Sequence, residues 1–388
     1  MEQEFFYFGV ILIIASILAL LAVRFKQSTI AGYLLAGAFA RFFLEPSQSF
    51  EFLASLGAIL LLFFVGLEFS MNKVRGLGKK IFSLGVLDLL INFPLGVACG
   101  LLFKWSPLEA LFLGGIVYVS SSAVISKLLV DAGCISRKET RTVLGILIVE
   151  DIIMAVILAV FSALAFEPVL NYLPISIAIA KALGFFALFV IFERPIKNFL
   201  NFILNVEKNE IFILEIIGII FLVSLVAKFI GLSEAIGAFF IGSAMAESHH
   251  KARIKKLLEP LGFFAAALFF ISFGLQVNLL AVNANVLIMV SILVAVSIIG
   301  KMVTGLASKP IEGLSLQEAQ NVGVSLFSRG EFSILIASLF IKESLASHGI
   351  REIIAIYVFV LMILSTFLIK RYTKTCKIEL PISESTNT

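Results

Sequence analysis

Long apolar runs alternate with short charged clusters from one end of the chain to the other. Runs of about 18 or more apolar residues read as membrane-crossing helices. Thirteen spans are expected, at 5–24, 28–44, 51–69, 80–103, 107–131, 137–165, 173–193, 211–229, 232–246, 258–277, 284–306, 317–341 and 351–370. The ninth, SEAIGAFFIGSAMAE, is short and Gly-rich, and a strict hydropathy window would pass over it.

Composition agrees with the pattern. Of 388 residues, 60% are hydrophobic and 14% charged, and mean hydropathy is +1.08. A soluble domain is typically ~45–50% apolar and ~25% charged. The fold class is therefore an all-α polytopic membrane protein in the lipid bilayer. The first run lacks a positive leader and a small-residue cleavage site, so no signal peptide is expected. Cys99, Cys134 and Cys376 are scattered and fit no metal or disulfide spacing. The net charge of +4 reads as membrane anchoring and implies no nucleic acid partner.

Basic residues orient the spans. With the N-terminus outside and the C-terminus cytoplasmic, the inner loops and tail hold twenty-one of the thirty Lys and Arg. They include Lys73, Arg75, Lys79 and Lys80, and the cluster Lys251, Arg253, Lys255 and Lys256. Only Arg41, Lys104, Lys342 and Arg351 fall outside. One span more or fewer would scramble this asymmetry, which is the positive-inside pattern of an inner (cell) membrane protein. Lys127, Lys181, Lys228, Lys301 and Arg329 remain within spans.

Two short segments recur. AGYLLAG (31–37) matches IGAFFIG (236–242), and VGLEFSM (65–71) matches FGLQVNL (273–279). Each pair lies seven spans apart, so the copies enter the membrane from opposite sides. Two inverted six-helix repeats joined by a linker helix are expected, an arrangement that recurs in secondary transporters. The same offset lays Ser120 of YVSSSAVISK on Ser328 of LFSRGEFSIL. Three serines in a row compete with the backbone for hydrogen bonds. Ser328-Arg329-Gly330-Glu331 puts a glycine and two charges at membrane depth, where irregular backbone survives only beside a cavity or buried in protein. Both spans are expected to unwind there. Serines facing an ordinary helix contact are the plainer reading of the first.

Glu150 and Asp151 stand in GILIVEDIIMAVILAV. Neighbours on a helix point about 100° apart, so the two acids have separate tasks. An acid at bilayer depth costs several kcal/mol and marks an ion or proton path. Lys301, in VSIIGKMVTG, needs an acid; Glu150 is the favoured partner and Asp88 the competitor, which leaves Asp151 as the titrating group. Lys127 and Asp131, four apart, suit a local pair. Arg329 and Glu331 suit compensation of half-helix ends. No partner for Lys181, Lys228 or Glu215 is evident.

SSSAVISKLL, the Glu-Asp pair, IIGKMVTG, SRGEFSILIA and GLSEAIGAFFIGSAMAES followed by FFISFGLQVNL resemble the monovalent cation:proton antiporter-2 family. That family includes Kef-type potassium efflux systems and NapA-type sodium/proton antiporters, and the likeness runs from Phe5 to Lys370. The resemblance implies a homodimer with crossed discontinuous helices (an NhaA/NapA-like fold) and an elevator-type movement. It implies a dimerisation part (1–79 and 207–280), an ion-binding core part (80–170 and 284–370), a linker helix and loop (173–206) and a short cytoplasmic tail (371–388). The essential aspartate falls on Asp151, its preceding residue on Glu150 and the bridging lysine on Lys301. Ser121 and Ser122 would supply oxygens to the cation, and Ser120, Ser328, Arg329, Gly330 and Glu331 would build the crossing. Glu150 departs from both the sodium-type Asp and the Kef-type Gln. The tail is too short for a nucleotide-binding regulatory domain, so regulation would need a separate subunit.

The implied function is exchange of Na+ or K+ for H+, with no cofactor, no resident metal and no enzymatic activity. A sodium-coupled symporter of a small organic anion is the alternative. It would need more polar groups and an arginine for its substrate, and Arg329 alone is available at the crossing.

Overall fold

Two helices begin with the same device. Ser106 caps Pro107–Tyr118 and exchanges hydrogen bonds with Glu109, while Ser315 caps Leu316–Ser325 and does so with Glu318. Each is a capping box, which satisfies two backbone donors that a helix start leaves open. The computed structural model describes residues 2–25, 27–44, 48–68, 78–134, 136–165, 176–177, 180, 184, 195–342 and 349–373.

The helices are α1 (Glu2–Arg24), α2 (Thr29–Ala40), α3 (Gln48–Glu68), α4 (Lys79–Leu102), α5 (Pro107–Tyr118), α6 (Ser122–Asp131) and α7 (Lys138–Ala165). They continue as α8 (Asn209–Ile230), α9 (Glu234–Ala246), α10 (Lys251–Leu275), α11 (Ala284–Glu312), α12 (Leu316–Ser325), α13 (Glu331–Lys342) and α14 (Ile350–Thr373). Residues 195–203 are helical as well. Among the described residues, eight helical stretches are long and apolar enough to cross a bilayer, and α2, most of α3 and α9 are shorter apolar helices. The chain is a multi-pass, all-helical membrane protein. Expected span 7 lies largely outside the described residues, as do Lys73, Arg75, Lys181 and the tail beyond Thr373.

Two details differ from the sequence reading. Helix α10 starts at Lys251, so the basic cluster expected in a loop forms its first turns. Lys228 pairs with Glu234 at 2.6 Å, because Gly231, at φ 90°, turns the chain back and brings α9 beside the end of α8. Cys99 is free and buried, as a packing residue would be.

The helices pack in two groups. Helices α1–α3 and α8–α10 contact one another, as do α4–α7 and α11–α14. Between the groups run contacts of α7 with α9 and of α2 with α14. An apolar cluster containing Phe239, Phe269, Phe273, Met154 and Leu158 is shared between them.

Close contacts recur at a nearly constant spacing. A side chain at Gly37 (α2) would strike Ile271 and Gly274 of α10, and one at Gly242 (α9) would strike Phe63 and Leu67 of α3. In the second group Gly96 of α4 lies against Gly114 of α5, and Gly305 of α11 against Gly323 of α12. Small residues let backbones approach where lipid offers no hydrophobic drive between helices.

Candidate functional site

The centre of the second group is where two helices stop. Helix α5 ends at Tyr118 and α6 begins at Ser122; α12 ends at Ser325 and α13 begins at Glu331. The backbone at these breaks is buried, so its polar groups need partners within the protein. The breaks serve each other: Ser121 N–H donates to Ser328 O at 2.8 Å. Gly330 lies so close to Ser121 that any Cβ would meet its side chain.

Four half-helix ends converge on this point, and two charges answer them. Arg329 is fully buried. Its guanidinium donates to Leu326 O at 3.0 Å, to Phe327 O and Ser328 O at 3.3 Å each, and to Val117 O at 2.8 Å. Its Nε donates to the Tyr357 hydroxyl at 3.1 Å. The cation thus fills the carbonyl ends of α5 and α12. Ser333 donates to Ile116 O at 3.1 Å and serves the α5 end as well. Glu331 opens α13, and its carboxylate accepts from the Ser121 hydroxyl at 3.0 Å and from the Ala123 backbone at the start of α6. An anion at two helix N-termini and a cation at two C-termini both lower the energy of the aligned peptide dipoles.

Glu150 and Asp151 lie midway along α7. Glu150 is fully buried and Asp151 half-buried. Glu150 Oε2 accepts from Ser120 N–H at 2.6 Å. The Ser120 hydroxyl stands 3.0 Å from both Glu150 Oε1 and Leu326 O, and its single proton serves one of them at a time. Glu150 is therefore fastened to the α5–α6 break itself. Ser122 is the half-buried first residue of α6. Ser328 Oγ is buried and has no hydrogen-bond partner among the described residues.

Lys301 pairs differently from the expectation. Its Nζ donates to Glu150 Oε1 at 3.0 Å and also to Asp88 Oδ2 at 2.7 Å, and all three side chains are fully buried. Asp88, the expected competitor for the lysine, shares it with Glu150. The reason is that α4 and α7 both pack in this group and Nζ carries three protons. The Tyr118 ring lies 5.4 Å from Nζ. Asn92, one turn beyond Asp88, donates to Asp88 Oδ1 at 2.9 Å and lies 3.3 Å from Thr304 Oγ1.

Sequence reasoning passed over Asn92, Thr304, Ser333 and Tyr357. The signal for the first two was their i, i+4 and i, i+3 spacing from Asp88 and Lys301. Nothing in the pattern marks Tyr357, which stands on α14 far along the chain.

Comparison with known proteins decides the family. The profile of the transmembrane sodium/hydrogen exchanger family matches residues 10–375. The chain belongs to that family. Among curated members of the exchanger family, it is 34% identical over 381 residues to the K(+)/H(+) antiporter subunit KhtU of Bacillus subtilis, covering 95% of this chain and 94% of that protein. It is 28% identical over 340 residues to the ammonium/H(+) antiporter subunit AmhT of Alkalihalophilus pseudofirmus, covering 87% and 86%. The Na(+)/H(+) antiporter of Enterococcus hirae is 26% identical over 370 residues, covering 94% and 96%. In fold, the chain resembles the sodium proton antiporter MjNhaP1 of Methanocaldococcus jannaschii, with a TM-score of 0.68, 17% identity and coverage of 98% of this chain and 99% of that one.

Proposed function

We propose that the chain exchanges a monovalent cation, Na+ or K+, for H+, with Asp151 binding cation and proton in turn. The observation that carries this reading is a half-buried carboxylate next to a fully buried, lysine-paired carboxylate at the meeting point of two helix breaks. A carboxylate crossing a low-dielectric layer unloaded would carry a charge, at a cost of several kcal/mol by insertion scales. Loaded with either H+ or a monovalent cation, it crosses neutral. That difference couples the two fluxes. Hard cations prefer oxygen ligands, and Asp151, Glu150, Ser121 and Ser122 would supply them.

The finer architecture belongs to the same proposal. Thirteen spans and two inverted repeats are supported by the glycine contacts and capping boxes that recur about 205–209 residues apart, and an outside N-terminus by the placing of the basic residues in alternate loops. An elevator-type movement is supported by the division of the helices into two groups with few helix contacts between them. In it α4–α7 and α11–α14 carry the ion, and α1–α3 with α8–α10 form the dimerisation part. Relatives named for K+, ammonium and Na+ support the substrate class, and two of them named as subunits support a separate regulatory partner. Organic-anion symport is disfavoured, because the guanidinium of Arg329 is committed to backbone carbonyls and Tyr357.

The test is proteoliposome exchange with Na+, K+, Li+ and ammonium compared side by side. Cation-driven proton movement with no organic solute is expected, and Asp151→Asn abolishes it while the protein still elutes as a folded species. Substantial flux in that variant would remove Asp151 from the mechanism.

A further inference from the structure

We infer that Asp88 is a positioning residue for exchange: it is the fixed counter-charge of Lys301, and it thereby releases Glu150 to serve the transported cation. The inference rests on the exchange reading above and adds to it a residue on a third helix.

Two carboxylates compete for one ammonium, and they are held differently. Asp88 Oδ2 has the shorter bond to Lys301 Nζ, 2.7 Å against 3.0 Å for Glu150. Its other oxygen accepts from Asn92 at 2.9 Å. Asn92 is held in turn: its amide also donates to Asp88 O at 3.0 Å, and it lies against Thr304 Oγ1 and the backbone of Gly300 on α11. Each oxygen of Asp88 therefore has a partner on a continuous helix, away from either break. Glu150 instead divides its oxygens between Lys301 and Ser120, and Ser120 sits in the unwound segment. Of the two acids, Glu150 is the one attached to the part of the structure where an ion would enter.

The consequence follows from pairing costs. Removing the partner of a buried charge is strongly destabilising, because the other charge is left uncompensated. If Glu150 were the only counter-charge of Lys301, turning its carboxylate toward a cation beside Asp151 would incur that penalty. With Asp88 in place Lys301 keeps a partner whichever way Glu150 turns. Asp88 thus adds to cation affinity without touching the cation.

The experiment measures KM and Vmax for Na+ and K+ in proteoliposomes for the wild type, Asp88→Asn, Asp88→Glu, Glu150→Gln and the Asp88→Asn/Glu150→Gln double variant. Asp88→Asn is expected to raise KM about tenfold, a coupling of ordinary size between linked groups, with Vmax changed less than about twofold. Asp88→Glu should restore much of the affinity. In the Glu150→Gln background Asp88→Asn should raise KM no further, because no carboxylate is left there to release. An unchanged KM, a fall in Vmax alone, or an equal KM increase in both backgrounds would overturn the inference. If Asp88→Asn fails to assemble, Asn92→Leu keeps all three charges and removes the amide that holds Asp88. It should raise KM at constant Vmax, and an unchanged KM counts against the inference. Failure of the wild type to exchange any of these cations would instead sink the proposed function. Exchange in the wild type with KM indifferent to Asp88 would sink only this step.

Discussion

At the α5–α6 break Ser120 reaches the carboxylate of Glu150 on α7, whereas at the α12–α13 break Arg329 and Glu331 are taken up by the helix ends of the two breaks and by Tyr357. Ser120 gives both its N–H and its hydroxyl to the neighbourhood of a carboxylate. Arg329 spends its donors on the carbonyls of its own segment, on Val117 and on Tyr357. One break is joined to the titratable groups of the site. The other holds its two charges against the helix ends of both breaks, the arrangement expected of an internal brace. Two sequence segments with the same kind of polar interruption thus divide the work, and the difference lies in charge: serines in one, an Arg-Gly-Glu run in the other.

The comparison breaks most severely at Arg329. Arg329→Met leaves several buried carbonyls without donors, each costing about 1–3 kcal/mol, so loss of folded protein in detergent is expected by size-exclusion fluorescence. Retention of a folded, active protein would mean that the second break is not a brace. Next comes Lys301→Gln, which leaves Asp88 and Glu150 facing each other with no cation and should cost roughly 3–5 kcal/mol. Glu150→Gln should cost clearly less, because Lys301 keeps Asp88. Melting temperatures of the two variants rank them, and equal losses would mean Asp88 does not hold the lysine.

Gly330→Ala sharpens the comparison more gently. Its Cβ would push on Ser121 and part the two breaks, with overpacking of about 1–3 kcal/mol and a lower exchange rate. A variant with unaltered melting would show that the breaks do not need this close approach. The smallest effect is expected of Ser328→Ala. Its hydroxyl has no partner among the described residues, so stability should move by less than about 0.5 kcal/mol. A large drop in melting temperature would reveal a partner for that hydroxyl.

Much of this was legible in the chain. Apolar run length fixes that the protein lies in a bilayer and where most of its helices lie, because backbone groups in lipid must be satisfied within the helix. Twelve of the thirteen expected spans coincide with helices, two of them broken where serines or an Arg-Gly-Glu run interrupt the apolar pattern. Charges inside those runs are too costly to be incidental, and so Glu150, Asp151, Lys301, Arg329 and Glu331 stood out one by one. What the chain alone left open was pairing. Lys301 had two acids within its bundle, and only the packing of α4 and α7 around α11 decided that it takes both. Lys228 found Glu234 only once Gly231 had reversed the chain. Tyr357 met Arg329 only because α14 lies against α11 and α13. Periodicity and charge are local properties and can be read along a sequence. A hydrogen bond between residues two hundred positions apart depends on how whole helices cross, and that was settled only when the glycines let them come together.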